Sequence, residues 1–265
     1  MLLALDARNS GIVAGFRDSG AWSAIVHLGV DRSADELGIL LEASARRAGF
    51  GAELGLGEAW ISSVVPALTP RIVAAISSAF GVDASVVGPG IKTGLKIRTD
   101  TPSELGSDIV CSAVAAIAAH SGACIVVDFG AALVLSAIDS AGELLGASIA
   151  PGLETAAKSL RISAAQIPEV RLDKPRRAIG RNTAQALQSG ILLGYGGLVR
   201  RLVELMAVEL GERVTVIGTG DETGKMVMAE AGYELFMPNL ALDGLVNIAE
   251  RNRHIAATSL SASGG

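Results

Sequence analysis

At 265 residues the chain suits one large domain or two small ones, and with half its residues hydrophobic it can bury a sizeable core. Charged residues make up only 18%, net charge is −5 and aromatic content is 3%, which argues against a nucleic-acid surface and offers no stacking platform for single strands. Cys111 and Cys124 lie in apolar runs and read as small buried hydrophobes, and His27, His120 and His254 have no partner at metal-ligand spacing. No basic leader and no apolar run of roughly 20 residues is visible, so a reduced cytoplasmic location away from membranes is expected.

In chain order, residues 1–16 predict a hairpin and 21–27 a third strand. Leu37, Leu40, Leu41 and Ala48 predict an amphipathic helix over 34–49. A buried strand over 59–65 precedes a helix over 69–80, opened by Thr69 and Pro70, and a strand over 82–87. Residues 88–100 form the richest loop of the first half. Thr101, Pro102 and Glu104 then predict a capping box opening a helix to about Ala119. The second half repeats the plan: strands on both sides of Asp128, a third over 144–149, and a helix over 153–160. A basic, proline-containing loop spans 161–181, and a long helix capped by Asn182 or Thr183 runs to about Leu210. Gly190, Gly194 and Gly197 on one face of that helix predict close packing. A strand over 214–217, a glycine turn at 218–220, and helices over 223–231 and 240–251 follow, with a frayed tail over 255–265.

Two stretches have the same design. The apolar run Leu2 to Leu5 ends in Asp6, and Cys124 to Val127 ends in Asp128, 122 positions on; each is followed by a turn and a returning strand. A carboxylate at the end of a buried strand is costly unless a metal ion, a phosphate-bound Mg2+ or backbone N–H groups pair with it. Two such halves would put two carboxylates across one cleft; two ordinary hairpins with polar turns is the plainer alternative. With Asp108 early in a helix, where the macrodipole alone would also favour an acid, the set suits phosphoryl transfer: Asp6 and its turn for phosphate, Asp128 for a cation, Asp108 as base. Gly218 to Lys225 fails as a P-loop and as a dinucleotide fingerprint, leaving a weaker role in holding ATP. No Gly-x-Ser-x-Gly elbow exists for a hydrolase triad.

These residues resemble the type III pantothenate kinases, a family of the acetate-kinase, sugar-kinase, Hsp70 and actin superfamily. The matching segments are Asp6-Ala7-Arg8-Asn9-Ser10, Gly88 to Gly94, Gly106-Ser107-Asp108-Ile109, Asp128-Phe129-Gly130-Ala131-Ala132, Gly146 to Gly152, Ile179 to Thr183 with Gln188 to Gly190, and Leu242 to Leu245 with Glu250-Arg251-Asn252. The resemblance implies an α/β chain of two duplicated RNase H-like domains, mixed sheets with flanking helices, over 1–118 and 119–254 with a flexible tail 255–265. It implies ATP with Mg2+, bound by Asp6, Ala7, Arg8, Asn9, Ser10, Gly11, Ile12, Val13 and Ala131, and a K+ or NH4+ ion at Asp128. Pantothenate would meet Gly106, Ser107, Ile109 and Thr183, Asp108 would accept its hydroxyl proton, and a homodimer is expected. Three positions depart from the family pattern: Arg8 replaces a glycine, Ala131 a threonine and Ile109 an arginine. Besides a kinase, they raise two alternatives: an impaired paralogue paired as a heterodimer with a second kinase chain, or a regulatory binding protein.

Overall fold

The computed structural model describes residues 1–50, 55–164 and 167–263. In chain order the elements are β1 (Leu2–Arg8), β2 (Gly11–Asp18), β3 (Ala21–Leu28), α1 (Ala34–Arg47), β4 (Glu58–Ser63), α2 (Thr69–Phe80), β5 (Ala84–Val86), β6 (Lys96–Ile97) and α3 (Ser107–Ala119). They continue with β7 (Cys124–Phe129), β8 (Ala132–Ile138), β9 (Glu143–Pro151), α4 (Leu153–Ser163), α5 (Thr183–Leu210), β10 (Thr215–Gly220), α6 (Glu222–Ala231) and α7 (Leu240–Ser263). The chain divides into two compact units. One holds Met1–Leu95, Ser103–Ala118 and the stretch from Leu240 on; the other holds Lys96–Pro102 and Ala119–Asn239.

The first unit is built on a five-stranded sheet in the order β3-β2-β1-β4-β5. The β1–β2–β3 meander is antiparallel, and β4 and β5 add in parallel after helical crossovers. Alternation along β1 divides its side chains between two cores. Leu3, Leu5 and Ala7 join Phe16, Leu37, Leu41, Ile72 and Ile76 under α1 and α2. Leu2 and Ala4 join Cys111, Leu242, Leu245 and Val246 of α3 and α7. Ser33 caps α1 in a reciprocal box with Glu36, and α2 carries its proline in the first turn as expected.

The second unit repeats the meander, in the order β10-β7-β8-β9-β6: β7, β8 and β9 are antiparallel and β10 lies parallel to β7. Gly218 of β10 bridges Phe236 in parallel, in the place that β5 takes beside β4. Ile125, Val127 and Phe129 face a core with Ile191, Leu192, Val199, Val227 and Met228 of α5 and α6. Two mixed sheets with flanking helices, one plan used twice, are the duplicated architecture expected.

Four local expectations are corrected. Thr101 and Glu104 do not cap α3: residues Pro102–Glu104 form a separate 3-10 turn, and the helix starts at Ser107, after Gly106. Gly218-Thr219-Gly220 is not a turn but the end of β10, paired with Val127, Asp128 and Phe129. Glycine is needed there because a Cβ on Gly218 would strike Met228 and Phe236. On α5, Gly190, Gly194 and Gly197 have no close neighbour among the described residues, while the adjacent Gly196 packs against Glu230. Lastly, α7 does not end near Arg251 but continues to Ser263, and it belongs with the first unit, because Leu242, Leu245, Val246 and Ile248 pack into the β1 core. Residues 264 and 265 of the expected tail, and 165 and 166 of the expected 161–181 loop, lie outside the described residues. No helix among the described residues is long and apolar enough to cross a membrane.

Candidate active site

One more step of the β1 alternation puts Asp6 on the face of Leu2 and Ala4, at the end of a strand buried from Leu2 onward. Asp6 is 4% exposed. Its Oδ1 accepts a hydrogen bond of 2.9 Å from Ser62 Oγ, which sits directly across on parallel β4. Its Oδ2 accepts one of 2.6 Å from Arg8 Nε, two residues on and therefore on the same face of the strand. Burial pushes the Asp6 carboxyl above the usual carboxylate range; Asp108 adds to that push, while Arg8 and Ser62 oppose it.

Asp108 joins this group from the first turn of α3. Its Oδ2 lies 3.8 Å from Arg8 Nε, and its Oδ1 accepts 2.9 Å from the Ile109 backbone N–H. Ser107 Oγ lies 3.0 Å from Ser62 Oγ, so a continuous polar chain runs Ser107–Ser62–Asp6–Arg8–Asp108. Two glycines fix α3 in place. A Cβ on Gly106 would meet the Asp108 carboxylate, and one on Gly244 of α7 would strike the Cys111 backbone, so α7 can lie close against α3. Asp243, beside Gly244, accepts a 2.8 Å hydrogen bond from Trp22 Nε1 on β3. The closing Leu-x-Gly-Leu segment therefore seats the helix that carries Asp108. Cys111 lies in the same core, and its burial drives the thiol pKa far up, so it is an inert hydrophobe.

The remaining expected phosphate residues divide by exposure. Asn9 and Ser10 are exposed at the tip of the β1–β2 turn, with Gly11 beside them. Ala7 and Ile12 are fully buried in the α1–α2 core, so only their backbone faces the turn. Val13 packs towards the α7 side. The loop Gly88 to Gly94 is held by α7: Asn252 Oδ1 accepts from the Lys92 N–H at 3.3 Å, and its Nδ2 donates to Lys92 O at 3.1 Å.

Asp128, Ala131 and Thr183 belong to the second unit. Asp128 is 7% exposed on β7 and pairs in register with Val134 and Thr219, as Asp6 does with Val13 and Ser62. Ala131 is exposed; its carbonyl accepts from Gly152 N–H at 3.0 Å and Thr155 Oγ1 at 2.8 Å. A Cβ on Gly152 would fill the space at the Gly130 and Ala131 carbonyls, which explains the Pro-Gly segment. Thr183 opens α5 behind Asn182, whose side chain accepts from Gln185 N–H at 2.9 Å while Gln185 Oε1 accepts from Arg181 N–H at 3.0 Å. Residues 179–183 are thus first a helix cap. A groove of about 620 Å3 in this unit is lined by Lys158, Arg171, Leu187, Glu222, Thr223 and Met226, among others.

Sequence reasoning missed Ser62. Its only signal was two serines, Ser62 and Ser63, within an otherwise apolar strand over 59–65, and register alone ties it to Asp6.

A duplicated sheet with a buried aspartate at the same strand end in each half is the plan of the sugar-kinase and actin fold. The chain superposes on a proposed 2-dehydro-3-deoxygalactonokinase from Sinorhizobium meliloti (TM-score 0.58, 13% identity, 95% of this chain and 99% of that one). It also superposes on the activator of 2-hydroxyisocaproyl-CoA dehydratase from Clostridium difficile with bound ADPNP (TM-score 0.52, 11% identity, 97% of each chain). Those likenesses establish the fold. The sequence goes further: the type III pantothenate kinase family model matches residues 2–205. Type III pantothenate kinase 2 of Symbiobacterium thermophilum is 40% identical over 96% of this chain and 97% of its own length, and the type III pantothenate kinase of Dehalococcoides mccartyi 36% identical over 95% and 98%. The chain belongs to the type III pantothenate kinase family.

Proposed function

We propose that the chain transfers the γ-phosphoryl group of ATP to the hydroxyl of pantothenate, giving 4'-phosphopantothenate and ADP, the first step towards coenzyme A. The observation that carries this beyond family membership is the grouping of Asp108 with Arg8 and Asp6 beside an exposed Asn9-Ser10-Gly11 turn. Asp108 accepts the proton of the pantothenate hydroxyl as its oxygen attacks the γ-phosphorus, and the bond to the β-phosphate oxygen breaks to release ADP. The Ile109 N–H holds one Asp108 oxygen, leaving the other to face the proton. The β1–β2 turn from Asp6 to Val13 and Ala131 of the second hairpin take the ATP phosphates. The groove beside Thr223 and Met226 is a candidate for the nucleoside. Gly106, Ser107, Ile109 and Thr183 take pantothenate.

Mg2+ arriving with ATP would neutralise phosphate charge, but Asp6 does not fit a directly bound cation, because Ser62 and Arg8 take its two oxygens. Asp128, a buried carboxylate near the end of β7, is the candidate for holding a K+ or NH4+ ion through its oxygens. A homodimer belongs to the same reading. The free, buried Cys111 and Cys124 suit a reducing cytoplasm. Nothing in the relatives favours an impaired or purely regulatory chain.

The test is ADP release by the purified chain with ATP, Mg2+ and K+, with and without pantothenate. Pantothenate-dependent ADP release and a singly phosphorylated product are expected. ADP release indifferent to pantothenate overturns the assignment.

A further inference from the structure

Arg8 does not point away from the site. Its Nε donates at 2.6 Å to Asp6 Oδ2 and lies 3.8 Å from Asp108 Oδ2, with its side chain only 19% exposed. Two acids share one guanidinium here, and Asp6 is nearly solvent-free, so the site calls for a positive charge beside it. That charge is covalently attached, two residues along the same strand.

We infer that Arg8 is a built-in counter-cation: its guanidinium occupies the place at Asp6 that a divalent metal ion would need, so the nucleotide-free protein takes up no divalent ion at Asp6. A guanidinium is always protonated and strongly directional, so it also positions both carboxylates, Asp6 through the short hydrogen bond and Asp108 through the longer ion pair. Burial raises the Asp6 pKa, and Arg8 is the largest influence opposing it. Arg8 is thus a positioning residue in this chain, and divalent metal reaches the site with the nucleotide rather than through Asp6. The inference rests on the kinase reading only for what the turn is for; the protein can be tested with metal alone, with no turnover in the assay.

Thermal unfolding of the nucleotide-free protein with increasing MnCl2 decides it. The unmodified chain and Arg8→Lys, which keeps the charge, should show no metal-dependent rise. Arg8→Met should gain one, of about 2–4 °C when Mn2+ stands at roughly five times its Kd, and adding Asp6→Asn to Arg8→Met should erase it. A rise in the unmodified chain that Asp6→Asn removes overturns the inference, as does an Arg8→Met protein that ignores Mn2+. If Arg8→Met does not fold, Mn2+ paramagnetic resonance on the unmodified protein still decides. A bound-Mn2+ signal that Asp6→Asn abolishes refutes a built-in charge, and no Asp6-dependent signal supports it.

Discussion

The two hairpins β1–β2 and β7–β8 share one design and differ in the side chains their turns carry. In each, a strand ends on a buried aspartate whose register partners are a valine on the returning strand and a hydroxyl residue on the parallel neighbour: Val13 and Ser62 for Asp6, Val134 and Thr219 for Asp128. The first turn carries its own cation, Arg8, and meets a second acid, Asp108, from α3. The second turn, Phe129-Gly130-Ala131, has no ionisable side chain at all. Duplication therefore preserved where the carboxylate sits but not which side chains the turn carries. The proposed roles divide accordingly, proton transfer at the first hairpin and a monovalent ion at the second.

The largest test of that contrast is Asp108→Asn. An amide keeps the shape and the Ile109 N–H contact but cannot take a proton, so kcat should fall by ~10²–10⁴ while the far-ultraviolet spectrum and Tm stay close to those of the unmodified chain. Steady-state ADP release alongside thermal unfolding checks this. A variant that turns over normally removes the first cluster from the chemistry and breaks the contrast.

How far the sequence could be read follows from range. Apolar runs and turn residues marked nearly every strand and helix because those signals are local, and α2 falls on the expected residues, Thr69 to Phe80. The failures came where a distant partner decides. Thr101-Pro102-x-Glu104 has the letters of a capping box, yet Gly106, set against Asp108 and Val64, restarts the chain as α3. Gly218 and Gly220 look like a turn, but they are strand positions kept small for Met228, Phe236 and Phe129. In the site, Asp6, Arg8 and Asp108 stood out individually. That Arg8 bridges the two acids, and that Ser62 completes Asp6, depends on β1 lying beside β4 and on α7 seating α3, which no local pattern states.

A smaller effect should appear in the pH dependence of stability. Burial raises the Asp6 pKa above its usual 3.8, so the folded chain holds that proton more tightly than the unfolded chain. The stability this provides is complete below 3.8 and is lost as pH rises through the raised value. Over that window each pH unit costs about 1.4 kcal/mol, or about 3–5 °C in Tm. Asp6→Asn carries no such proton, so its Tm relative to the unmodified chain should improve from pH 4 to pH 7. A constant difference would mean that Arg8 and Ser62 fully offset burial, a stronger clamp on the first hairpin than its geometry implies.

The smallest expected effect belongs to the second hairpin. Asp128 is buried near the end of β7, and a site that binds an ion through oxygen atoms discriminates ions by size and hydration rather than by charge alone. K+ and NH4+ are larger and more weakly hydrated than Na+, so they give up water to oxygen atoms more readily. At concentrations near the Kd, one bound ion stabilises by RT ln 2, about 0.4 kcal/mol, which corresponds to ~1–2 °C in Tm. Unfolding in KCl, NH4Cl and NaCl at equal ionic strength should therefore separate the first two salts from the third, and ADP release should follow the same order. Asp128→Asn should remove the difference, whereas Arg8→Lys, which alters only the first turn, should leave it intact. If the three salts act alike, the second hairpin holds no monovalent ion and its carboxylate is balanced by protein groups, as in the first.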